Sequence, residues 1–81
     1  MYYVYCLYSP KYNKIYIGFT SNIEKRLFFH NYASINTFTS KFRPWIIIYS
    51  EELPDRKTAM LREKQLKSAK GRSFVKSLIP Q

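Results

Sequence analysis

The chain has a single cysteine, Cys6, and a single histidine, His30. One thiol forms no internal disulfide, and one Cys with one His cannot furnish a tetrahedral zinc site. Disulfide-stapled secreted scaffolds are thereby excluded, and a reducing cytoplasm is the expected setting. No apolar run approaches the roughly 18 residues that a membrane-crossing helix needs. The first residues, "MYYVYCLYSP", carry no basic segment ahead of their apolar positions, so they read as a strand and not as a signal peptide. Glycine is scarce, at two residues, and no repeat, linker or low-complexity stretch appears. Acids are scarce too.

Fourteen Lys and Arg face five Asp and Glu, a net charge of +9. The excess gathers toward the C-terminus: from Arg56 to Gln81 there are eight basic residues and one acid, Glu63. Such density points to a phosphate backbone as partner, DNA or RNA, through counterion release and electrostatic steering. No amphipathic anchor stands apart from the fold, so no membrane surface is expected. At 81 residues, 46% hydrophobic and 19% aromatic, the composition is that of one globular domain spanning residues 1–81, with one modest core.

"YYVYCLYS" sets Val4 and Cys6 on one face and Tyr3, Tyr5 and Leu7 on the other, as a strand would. "SPKYNK" supplies turn residues, and "KIYIGF" returns as the second strand of a hairpin. Thr20 or Ser21 can cap a helix from about Asn22 to about Asn31, and "YASINTFTSKFR" reads as loop. "PWIIIYSEEL" is an apolar, β-branched run fit for a buried third strand. "PDRKTAMLREKQLKSAK" is a long helix with Pro54 and Asp55 at its start and Gly71 just past its end. "RSFVKSLI" closes the chain as a short helix with Phe74, Val75 and Leu78 inward. The order β-β-α-β-α-α predicts an α+β fold, a three-stranded antiparallel sheet flanked by helices.

Three sets of polar residues sit where apolar ones are expected. On a helical projection His30 falls inside the stripe of Ile23 and Leu27, with Arg26 at its edge one turn earlier. A lone histidine there serves either as a core residue bonded to a carbonyl or, beside an arginine, as part of a site. Glu63 falls on the same helix face as Ala59 and Leu66. Burying a lone carboxylate costs several kcal/mol, so it needs a cation: an arginine such as Arg26 in a structural pair, or a metal ion such as Mg²⁺. Tyr5 and Tyr16 lie on adjacent strands, where β-propensity alone would favour them, yet each carries a hydroxyl able to reach a phosphate or a water. No Ser-His-Asp set is available, so tyrosine, arginine, histidine, lysine and one glutamate remain. That inventory suits phosphodiester hydrolysis.

"YVY" at Tyr3 to Tyr5, "YIG" at Tyr16 to Gly18, "IEKRLFFH" with Arg26 and His30, and "REKQLK" with Glu63 resemble, in order and spacing, the GIY-YIG endonuclease superfamily. The likeness runs from about Tyr2 to Ile79 and is closest to small stand-alone bacterial members, in which "KFRPW" and "AMLREKQLKSAKGR" also have counterparts. It implies a metal-dependent endonuclease acting on DNA. Tyr5 would help activate the attacking water, Tyr16 would line the site, and Arg26 would contact the scissile phosphate with His30 one turn on. Glu63 would be the metal ligand for Mg²⁺ or Mn²⁺, and Gly18 would permit a close approach. The sequence departs from the pattern at Tyr3, where the name has glycine, and at Cys6. It also has no counterpart of the polar residue that some relatives carry after the glutamate.

Lys41, Arg43, Lys64, Lys67, Lys70 and Arg72 are the expected nucleic-acid contacts. Targeting is expected from the chain's own surface, a homodimer or a partner protein. The five site residues are expected on one shallow, solvent-reachable surface. The rival reading is a nucleic-acid-binding module with a vestigial nuclease site, since basic residues and aromatics suffice to bind strands.

Overall fold

β1 (Tyr2–Ser9) runs through the middle of a three-stranded antiparallel sheet, with β2 (Lys14–Thr20) and β3 (Ile46–Leu53) at its edges. The computed structural model describes residues 1–80. β1 and β2 form a hairpin in which Tyr5 faces Gly18 and Leu7 faces Tyr16. Asn13, in the turn, takes the left-handed φ of 53° and accepts a hydrogen bond from the Tyr8 hydroxyl at 3.1 Å.

Alternation along β1 feeds two small cores instead of one. Val4 and Cys6, with Ile17, are buried under α3 (Arg56–Lys67) and α4 (Ala69–Ser77) against Ala59, Leu66 and Val75. Tyr5 and Leu7 are buried on the opposite face with Trp45, beside Tyr16, Leu27 and Phe42. That second face is covered by α1 (Ile23–Phe28), a π-helical turn (Phe29–Ala33) and the short α2 (Phe38–Lys41). The α+β sheet flanked by helices is as expected, with a helical layer on each side. No helix among the described residues is long and apolar enough to cross a membrane.

Several local expectations are corrected. The cap of α1 is Asn22, whose side chain accepts the Lys25 amide at 3.0 Å, and not Thr20 or Ser21. The helix ends at Phe28 and widens into the π turn, closed by the Ser34 amide on the Phe29 carbonyl at 2.8 Å. The supposed loop contains α2, held by a reciprocal capping box between Thr37 and Ser40. β3 is an edge strand, so Ile46 and Ile47 stay exposed despite their apolar character.

The long C-terminal helix breaks at Ser68, which closes α3 and caps α4. Gly71 therefore lies inside α4 and not past a helix end. A Cβ there would come within 2.2 Å of the Gln65 carbonyl oxygen, so only glycine lets the two helices turn so tightly. Val75 is buried as expected, whereas Phe74 stays half-exposed with its ring edge-on to Tyr49.

Candidate active site

Tyr5, Tyr16, Arg26 and His30 meet on the α1 side of the sheet, next to β2. The Tyr5 ring leans across its neighbour strand, and a Cβ on Gly18 would lie 2.7 Å from the Tyr5 hydroxyl. Gly18 thus makes room for a side chain, where a close backbone approach was expected. The Tyr16 ring centre is 6.2 Å from that of Tyr5 and 4.8 Å from that of His30. Arg26 packs its guanidinium over the Phe29 ring, 4.6 Å from the centroid, and its charge and donors act on the Tyr5 hydroxyl. A cavity of about 200 Å³ opens against this group, with Tyr16, Arg26, His30 and Thr39 among its walls.

His30 is brought here by the π turn, a device that re-aims a side chain by one extra residue in the helix. Two partners from β3's approach hold that turn. Arg43 donates through Nε to the His30 carbonyl at 3.0 Å and through an amino group to the Ser34 carbonyl and hydroxyl. The Asn31 side chain brackets the Trp45 backbone, accepting from its amide at 2.7 Å and donating to its carbonyl at 3.1 Å. Arg43 was expected on a phosphate; its guanidinium is instead turned inward as a brace, because three acceptors of its own chain satisfy it.

The Tyr5 hydroxyl lies 2.9 Å from His30 Nε2, and His30 Nδ1 lies 2.9 Å from Thr39 Oγ1. Arg26 can only donate, so the Tyr5 proton has Nε2 as its acceptor. His30 then carries its hydrogen on Nδ1 and donates it to Thr39. Thr39 did not stand out in the sequence, and Trp45 did so only as an aromatic fit to bind strands. Trp45 donates its indole N–H to the Thr39 carbonyl at 2.8 Å and so fixes the residue that fixes the imidazole. A threonine just inside a capped turn was the only available signal.

Burial sets the electrostatics. Tyr5 is 1% exposed and His30 2%, so this pair is sealed from bulk water and does not form the open surface expected. Desolvation pushes the Tyr5 phenol up to about 12, against the downward pull of Arg26; Tyr16 and Glu63 add to the rise. Desolvation first, then the Arg26 charge, pushes His30 down to about 4. The imidazole is neutral at pH 7. An unfolded chain binds a proton near pH 6.5 that the fold refuses, so stability falls as pH drops from about 6.5 toward about 4. Since this is the only histidine, its ¹⁵N signals are unambiguous: they should stay those of a neutral ring at pH 5, and titration near 6.5 would contradict the burial. Cys6, desolvated in the other core, is pushed up to about 11 and is no nucleophile.

Glu63 sits in the other helical layer, on the sheet-facing side of α3 between buried Ala59 and Leu66. Its side chain is 18% exposed, and Oε1 lies 3.5 Å from Lys67 Nζ. The possible structural pair with Arg26 is not formed; the partner is Lys67. Its negative charge reaches the Tyr5 hydroxyl, which links the two layers electrostatically. Among the described residues no three His, Cys, Asp or Glu cluster as a ready cage. A single carboxylate with one oxygen outside that ion pair nevertheless fits Mg²⁺ or Mn²⁺, hard ions that take one or two carboxylates and complete their shell with water and substrate phosphate. Lys41, Lys64, Lys67, Lys70 and Arg72 are all exposed, on α2, α3 and α4.

A family model described as the GIY-YIG catalytic domain matches residues 1–76. A UPF0213 protein of Staphylococcus haemolyticus is 32% identical over 76 residues, covering 94% of this chain and 92% of its own length. A UPF0213 protein of Limosilactobacillus reuteri is 34% identical over 82 residues, covering 96% of this chain and 82% of its own. No solved structure is significantly similar.

Proposed function

The chain belongs to the GIY-YIG family, a family of nucleases, and from that premise we propose that it is a metal-dependent endonuclease hydrolysing DNA phosphodiesters by in-line attack of water. One observation carries the proposal: the Tyr5 hydroxyl lies 2.9 Å from a neutral imidazole, within reach of the Arg26 charge and beside a cavity that Arg26 lines. A buried phenol, a neutral histidine and an arginine serve no packing need that leucines would not serve better.

Each residue has a separate task. Arg26 presents fork-shaped donors to the non-bridging phosphate oxygens, whose charge grows as the water's P–O bond forms opposite the P–O bond that breaks, the leaving oxygen taking its proton from solvent. Tyr5 receives a proton from the attacking water while its own hydroxyl proton passes to His30 Nε2, the free lone pair left by the Nδ1–H to Thr39 bond. The negative charge that grows on the attacked phosphate offsets the cost that burial and Arg26 place on the imidazolium. The relay spares Tyr5 from resting as a phenolate, which its raised pKa forbids near neutrality. Tyr16 walls the cavity and orients the phosphate. Glu63 would hold Mg²⁺ or Mn²⁺, which when bound supplies Lewis-acid stabilisation of phosphate charge. Lys41, Lys64, Lys67, Lys70 and Arg72 draw in the backbone from the exposed side. A cytoplasmic setting and a single domain over residues 1–81 accord with this reading.

Tyr5→Phe tests the relay, because it removes one oxygen and keeps the ring. Cleavage should fall by about 10²-fold or more, the usual worth of positioned acid–base catalysis. DNA affinity should be unchanged. Stability should drop by about 1–3 kcal/mol, since His30 Nε2 is left without its buried partner. Cleavage at the wild-type rate by a folded Tyr5→Phe protein would remove Tyr5 from the mechanism.

A further inference from the structure

A second cavity, of about 330 Å³, lies against the first and is lined by Ile15, Tyr16, Ile17, Phe38, Lys67 and Arg72. Tyr16 and Phe38 wall both cavities. A phosphate beside Arg26 in the first therefore has its neighbouring nucleotide at the mouth of the second. From these shared walls we propose that the second cavity is a subsite for one unpaired nucleotide flanking the scissile phosphate, with Phe38 stacking its base and Arg72 and Lys67 taking its phosphate. The subsite rests on the nuclease reading for its place next to the cut.

Phe38 is 48% exposed, yet it is not loose. The capping box fixes its backbone at the start of α2, and its ring is braced by Phe42 at 4.9 Å, Trp45 at 6.1 Å and Tyr16 at 6.5 Å, the last nearly parallel at 26°. Aromatic neighbours thus hold an exposed ring in place, which is the construction of a stacking platform. Single exposed phenylalanines are common and need no function. Here the exposed ring comes with a concave wall and two cations, and among the described residues no acidic side chain lines the cavity.

The cations are placed for a phosphate. Arg72 spends Nε on the Lys67 carbonyl at 3.1 Å, and its terminal amino groups make no hydrogen bond among the described residues. Lys67 is shared with Glu63 across 3.5 Å, so it joins the subsite to the carboxylate proposed for the metal. A paired base has both faces stacked within the duplex and cannot use such a platform. The fitting ligand is a nucleotide that is single-stranded or swung out of its helix.

The experiment is binding without cleavage, in a chelator, using short oligonucleotides with 2-aminopurine placed at successive positions. Wild type should quench the fluorescence at one position of a single strand and at none of a fully paired duplex. Phe38→Leu, which keeps apolar volume and removes the flat ring, should abolish the quench and weaken single-strand binding roughly 5- to 150-fold, the worth of one stacked base. Arg72→Gln should leave the quench and lower the slope of log affinity against log salt by about 0.7, one phosphate contact on a single strand. Thermal melting checks both folds, and the exposed Arg72 keeps the test alive should Phe38→Leu unfold. Quenching that persists in folded Phe38→Leu, or a salt slope untouched in Arg72→Gln, would overturn the subsite. Quenching that behaves as stated in a protein that never cuts DNA would uphold the subsite and overturn the nuclease.

Discussion

Glu63→Gln should abolish metal-dependent cleavage, by about 10³-fold or more, while leaving the fold intact. The substitution keeps shape and removes the charge that would bind the cation, and loss of a principal electrostatic stabiliser is worth about that much. Stability should barely move because of what Glu63 touches. Its ion partner is Lys67, one turn on and half-exposed, and such a pair contributes about 0.3–0.5 kcal/mol. DNA affinity should hold or rise slightly, since a negative charge facing the phosphate is gone. Thermal melting and nicking of DNA on the same preparation read both halves. A melting temperature that collapses would mean that Glu63 holds the fold and not a metal.

Trp45→Ala should have the largest effect on stability, about 3–5 kcal/mol, the usual cost of deleting a buried aromatic. Trp45 is almost fully buried between Tyr5 and Leu7 on one side and Phe38 and Phe42 on the other. Its loss also frees the Thr39 carbonyl from the indole N–H, so the anchor of His30 Nδ1 loosens and the imidazole no longer holds the Tyr5 hydroxyl in place. A domain of this size has about 5–15 kcal/mol in all, so the variant stands at the edge of unfolding. Urea unfolding followed by circular dichroism is the measurement, because the only tryptophan fluorophore is gone. An unchanged midpoint would show that the second core does not support the site.

The hairpin and α3 were legible because their signals are local: strict alternation along β1, and Asp55 accepting the Thr58 amide at 2.8 Å as the cap. The alternation named two faces but was read as one core. Which faces are covered depends on helices far along the chain, and here both are. "IIIY" looked buried because apolar β-branched residues mark strands without saying which strand lies between two others; pairing puts β1 there and leaves β3 at an edge. The π turn was beyond any periodicity reading, since Arg43 and Trp45 hold it from more than ten residues away.

Of the candidate site, Arg26 and His30 were found by helical spacing, and their partner Tyr5 by its place beside Tyr16 on adjacent strands and by the family motif. The depth of the pair was missed, as an inward tyrosine and an outward one read alike. Charge likewise does not reveal direction: Arg43 and Arg72 differ only in what the fold offers them, three acceptors of its own chain for one and an open cavity wall for the other.

The central claim is that this assembly cuts phosphodiesters and does not merely bind them. Supercoiled circular DNA, incubated with the wild-type protein, reads this directly, for one nick per circle changes its mobility. With Mg²⁺ or Mn²⁺ nicked circles should accumulate with time, and with a chelator or with the Glu63→Gln protein they should not. If the folded wild type binds DNA yet leaves the circles supercoiled with either metal, the site is vestigial and the chain is a binding module.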